Sequence, residues 1–99
     1  MTALQDKAAV ADRLRRALMA FQAAQTHFLG VHRKAQMLAS PEEREQFWAK
    51  SGSHAEAQQR AAATEVIAAF KAFSAAGLVA DARDRHLVNQ AEQYLVEGG

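Results

Sequence analysis

Cysteine is absent from the 99 residues, and proline and tryptophan occur once each. Without cysteine there can be no disulfide, no thiolate nucleophile and no thiolate metal site, a composition compatible with a reducing cytosol. With one proline and no run of alternating Val, Ile or Thr, the strand signature is missing and no sheet is expected. A charge surplus is missing too. Twelve Lys/Arg against 11 Asp/Glu leave a net charge of +1, too little for a whole-protein field that holds nucleic acid. Long apolar runs are also lacking: the stretch without formal charge from Ala17 to His32 contains Gln22, Gln25, Thr26, His27 and His32, so it is too short and too polar to span a bilayer. No apolar segment precedes Asp12-Arg13 as a signal peptide requires, and a soluble, cytoplasmic protein is expected.

What the chain has in abundance is alanine, 24 residues of it. Alanine favours helix strongly but brings little apolar area to a core. The length fits one domain, residues 1–99, which at this size buries only about two-thirds of the surface its unfolded form exposes. Charge is uneven along the chain. Residues 1–39 hold six Lys/Arg and two Asp, whereas residues 40–99 hold nine carboxylates and six basic side chains. The two parts are expected to attract each other on folding.

From Leu4 to Leu38 apolar residues recur every seven positions. Ala11, Leu18, Gln25 and His32 form one seam position, and Leu14, Phe21, Phe28 and Ala35 the other. The pattern predicts a helix over about residues 3–39, roughly 50 Å long and about twice what a compact domain of this size needs. A flanking row of Val10, Ala17, Ala24, Val31 and Leu38 widens the stripe beyond what one partner helix covers. Ser40-Pro41-Glu42-Glu43 is a helix start with a Ser cap, Pro at the first position and Glu at the third. The helix it opens, about 41–50, is expected to stop at Ser51-Gly52-Ser53, where Ser53-His54-Ala55-Glu56 repeats the capping pattern for an arm over about 54–97.

Gly77 followed by Leu78 reads as a helix stop with its apolar contact, and Asp81 as the cap of a further helix. A competing seam, Val66, Phe73, Ala80, Leu87 and Tyr94, keeps seven-residue spacing across Gly77. If that seam prevails, residues 54–97 form one helix and the protein is a long hairpin in need of a partner chain. If Gly77 prevails, the arm breaks there and folds back over helix one. The expected fold is all-α: an antiparallel hairpin or bundle whose C-terminal arm breaks near Gly77. Its core should gather Phe21 and Phe28 against Phe73, Phe70 and Val66, with Leu14, Leu18, Ile67, Leu87 and Tyr94 around them.

No constellation for catalysis emerges. His27 and His32 are five residues apart, about 140° around a helix, and neither Glu-x-x-His nor His-x-x-x-His occurs, so no metal or other cofactor is expected. His32 and Gln25, both on the seam, read as residues that set register or bond across helices. Ser53 beside His54 has a cap explanation, and Glu42, Glu43 and Glu45 sit where a helix dipole favours carboxylates. Glycine-rich phosphate loops are missing. The protein is therefore not expected to be an enzyme.

Three features suggest binding instead. Arg15, Arg16, Arg33 and Lys34 project from the face of helix one opposite the seam, with His27 between the pairs, a stripe able to follow a phosphate backbone or an acidic protein surface. Between the pairs Ala20, Ala23 and Gly30 leave nearly bare backbone on which another helix can settle. Phe47 and Trp48, too much aromatic surface for a short helix to bury alone, either cap the bundle end or form a partner-binding tip.

The length, the helical arms and a Trp followed by Gly in the connection resemble the small Trp-x-Gly secretion substrates of Gram-positive bacteria. Here the motif runs Trp48-Ala-Lys-Ser-Gly52, two residues too long, and Tyr94 is followed by Glu97 one place early, so neither signature is complete and no function is carried over. The sequence reads as a helical interaction module of a bacterial or phage kind, acting as an adaptor, inhibitor, assembly factor or chaperone. A second copy is the first expected partner, and a dimer the expected state. Nucleic acid is the alternative partner. The candidate partner-binding residues are Arg16, Ala20, Ala23, His27, Gly30, Lys34, Phe47 and Trp48.

Overall fold

A computed structural model of the chain describes residues 3–97. They form α1 (Ala3–Gln36), α2 (Pro41–Phe47), a π-helical turn (Trp48–Gly52), α3 (Ser53–Ala75) and α4 (Ala82–Glu97), with no strand among them. The first helix rises, α2 and α3 descend beside it, and α4 turns back along the lower part of the pair. The all-α hairpin and bundle expected from the sequence is the observed architecture.

Helix ends follow local chemistry. Ser40 is extended (φ −114°, ψ 150°), as a residue before proline must be, and its Oγ accepts from the Glu43 N–H at 3.1 Å. That places the end of α1 at Gln36 rather than near residue 39. Two further amides then close the end, Met37 N–H on Arg33 O at 3.2 Å and Leu38 N–H on Ala35 O at 3.3 Å. Gly77 has φ 80° and closes α3 by the two bonds of a Schellman stop, Leu78 N–H to Phe73 O at 3.3 Å and Gly77 N–H to Ser74 O at 3.0 Å. Asp81 caps α4, its Oδ1 accepting from the Asp84 N–H at 2.8 Å. The chain thus breaks at Gly77, and the seven-residue spacing across it is coincidental.

The expected interruption at Ser51-Gly52-Ser53 does not occur. Gly52 (φ −66°, ψ −46°) and Ser53 (φ −61°, ψ −41°) are both helical, neither caps anything, and α2 runs into α3 through the π turn. Its signature bond joins the Ser53 N–H to Trp48 O, five residues back. Ser and Gly in a helix interior cost only about 1 kcal/mol, less than the packing that continuity secures. Gly52 has a positive role. A Cβ there would lie 2.5 Å from Trp48 Cδ2, so only glycine lets the indole rest on the helix backbone.

The core is small and lies where three helices meet. Leu14, Ala17, Leu18 and Phe21 of α1, Ala63, Val66 and Ala69 of α3, and Leu87, Val88 and Ala91 of α4 are buried together. Phe70, Phe73, Ile67, Tyr94 and Leu95 pack on the margin of this cluster. Of the residues expected at the centre, Phe21 and Val66 are there, each 0% exposed. Phe28 is elsewhere. The antiparallel register carries it towards Trp48, whose ring meets it edge-on at 5.7 Å between centroids. Two contacts fasten α4 to α3: the Arg85 guanidinium lies 4.9 Å from the Phe70 ring centre, and the Tyr94 hydroxyl donates to Glu56 O at 3.3 Å.

The molecule is elongated, 58 × 23 × 20 Å, with a radius of gyration of 16.7 Å. A compact chain of this length would have a radius of gyration of about 13 Å. Its accessible surface, 6813 Å², likewise exceeds the roughly 5,500 Å² of a compact monomer of this mass. The cause is the short α4, about 24 Å long, which covers less than half of the α1–α3 hairpin.

Candidate functional site

Two helices side by side have two grooves between them. One receives α4 along Leu18, Leu87 and Val88. The other, on the far side, is open. Its floor and walls are Ala20, Ala23, Ala24, His27, Gly30, Val31 and Lys34 from α1. Opposite them stand Phe47, Lys50, Ser51, His54, Gln58, Ala61 and Ala62. His27 and His54 mark the middle of this furrow, where its small-residue lower half meets its basic upper half. From Ala20 to Lys34 the furrow is about 21 Å long, four turns of a helix.

Six of the eight candidate residues thus share one surface: Ala20, Ala23, His27, Gly30, Lys34 and Phe47. The small residues do not face directly away from the hairpin, as the seam implied. They form the rim and wall of the furrow, because α4 takes one flank of α1 and pushes α3 round towards the other. Gly30 has open space around it, with no atom within 4 Å of where a Cβ would be. The Lys34 ammonium stands 5.7 Å from the centre of the Phe47 ring, a cation–π pair that orients both at the upper end.

Arg16 and Trp48 lie outside this surface. The basic stripe is partly neutralised at its lower end, where Arg15 and Arg16 (Nε–Oδ2 3.1 Å) both pair with Asp12. The hydrogen bond from Arg15 holds the Asp12 carboxyl below the usual carboxylate range, with both arginine charges adding to the effect. Of the attraction expected between the basic and acidic halves, Arg13–Glu65 at 2.5 Å is the ion pair that joins α1 to α3 among the described residues. By helical spacing it stands below Ala20 and Ala61 and bridges the furrow's lower end.

Trp48 turns to the other side of the hairpin. Half-buried, it meets Phe28 and, at 5.9 Å and 80°, the His32 ring, and so fastens the upper hairpin as a bundle cap does. His32 itself is exposed, with Nε2 3.2 Å from the Gln36 amide nitrogen. The sequence missed Lys50, His54, Ala61 and Ala62, the opposite wall of the furrow. Their signal was small and basic residues at helical spacing on the second arm, in antiparallel register with Ala20 to Lys34.

A second recess continues the α4 groove beyond Tyr94, lined by Gln25, Phe28, Leu29 and Gln59. Leu29 is 54% exposed there, while Gln59 is buried with no protein group donating to its Oε1. Among the described residues no three His, Asp or Glu side chains gather as metal ligands, and no helix is long and apolar enough to cross a membrane. Compared with family models, curated proteins and solved structures, the chain matches none.

Proposed function

We propose that the protein is a helical protein–protein interaction module that docks a helix of another chain, a second copy included, in the furrow between α1 and the α2–α3 arm. The observation that carries this reading is the furrow itself: an open, four-turn groove with small residues on both walls and a partly apolar floor of Ala24, Val31, Ala62 and Phe47. Small side chains let a third helix approach at close interaxial distance. Nucleic acid fits less well, since Asp12 and Glu65 already pair with three of the arginines of α1 and phosphates would leave the apolar floor unmatched.

Filling the furrow tests the reading. Gly30→Leu and Ala23→Leu place side chains where the structure has space or solvent, so thermal melting is expected to stay at or above that of the wild type. Light scattering and chemical cross-linking should show association of the wild type, with itself or with an added helix, and its loss in both variants. Association that survives both substitutions overturns the assignment of function to this surface.

A further inference from the structure

The furrow has a sign as well as a shape. Its upper half presents Lys34 and Lys50, with His27 and His54 below them, and no carboxylate is among its lining residues. Among the described residues neither lysine has an ion pair. Two acids of the second arm belong to other surfaces. Glu45 stands with His32 and Trp48 on the other side of the hairpin, and Glu56 faces the recess beyond α4. We propose that the natural occupant of the furrow is a helix of a different protein, small and apolar on the face it buries and bearing carboxylates on the flanks that meet Lys34 and Lys50.

This rests on the docking function proposed above and names its partner. Charge complementarity selects among partners more strongly than it adds affinity, and here it disfavours the second copy. A two-fold pair of furrows in parallel lays the lysines of one chain on those of the other. The antiparallel pair lays Lys34 on the end that holds Arg13, where Glu65 is already engaged. Neither arrangement brings a carboxylate from among the residues that line the furrow. A helix with glutamates on both flanks supplies two, one for each lysine, while its Ala or Leu face meets Ala20, Ala23, Ala61 and Ala62.

The probe is a pair of synthetic helices of about sixteen residues, alike in an Ala/Leu face and differing only in carrying glutamate or lysine on the flanks. Titrated into the full chain, the glutamate helix is expected to bind at least about tenfold more tightly than its lysine twin, the preference shrinking as salt is raised. The double variant Lys34→Glu/Lys50→Glu, both positions exposed, should stay folded with a slightly lowered melt, since it gives up the Lys34–Phe47 pair, and should reverse the preference. Equal binding of the twins, or an unchanged preference in the double variant, overturns the proposal. So does a short DNA duplex that binds and displaces the peptide. If neither peptide binds but the wild type self-associates and Gly30→Leu abolishes it, the furrow is a docking site and the acidic partner is wrong. If nothing binds and nothing associates, both readings fall.

Discussion

The two sides of the α1–α3 hairpin are built by opposite rules. On the α4 side, Leu14, Leu18, Phe21, Leu87 and Val88 fill the groove to exclusion of solvent, and branched or aromatic side chains decide which helix fits. On the far side, Ala20, Ala23, Gly30 and Ala61 leave an open groove that offers backbone proximity and charge in place of bulk. A covered groove needs large side chains because their burial is what holds the cover. An open one does better with small side chains, which expose little apolar surface in the free protein. The difference separates what folds the chain from what remains available to a partner.

The largest expected effect lies on the covered side. Phe21→Ala should cost about 3–5 kcal/mol, seen as a lowered melting temperature, whereas Phe73→Ala, at the margin of the core, should cost clearly less. Equal costs would mean that the core extends to the hairpin's lower end. Next comes the seat of Trp48. Gly52→Ala forces the indole off the π turn and should destabilise by about 1–3 kcal/mol, with Trp fluorescence shifted to the red. Unchanged emission would show that the ring does not depend on that contact. Asp81→Ala removes the cap of α4 and should cost about 1 kcal/mol, read by denaturant unfolding. It should leave binding in the furrow intact, because α4 touches only the other side. The smallest effect has the opposite sign. Gly30→Ala should stabilise α1 by about 0.5–1 kcal/mol, and a destabilised Gly30→Ala would mean that a side chain or helix already occupies the open side.

Legibility in the sequence follows the range of the forces involved. Ser40, Gly77 and Asp81 act on backbone groups within four residues, and the local pattern reveals all three. The π turn is hidden because Ser-Gly-Ser signals a break whenever only neighbours are considered. The reason for Gly52 is an indole four residues earlier, itself held by Phe28 and His32 from another helix. The furrow is half legible: a seam drawn for one partner helix finds the row Ala20, Ala23, Gly30 but sets it opposite the hairpin. Where α4 docks, and hence which way α3 is displaced round α1, depends on the joint packing of Leu18, Leu87 and Val88, which no single helix pattern contains.

The π turn also sets an angle. A π turn is an α-helix with one residue inserted, and each residue of an α-helix is worth about 100° of rotation. The insertion therefore dials α2 round relative to α3, so that Phe47 comes to the furrow and Trp48 to the opposite side. Deleting Ala49 would let plain α-helix close the gap and rotate α2 as a unit. Such a chain would keep its helices and its lower core but take Phe47 out of the furrow. In this protein the phase of a helix, as much as the identity of any side chain, determines what its open side presents.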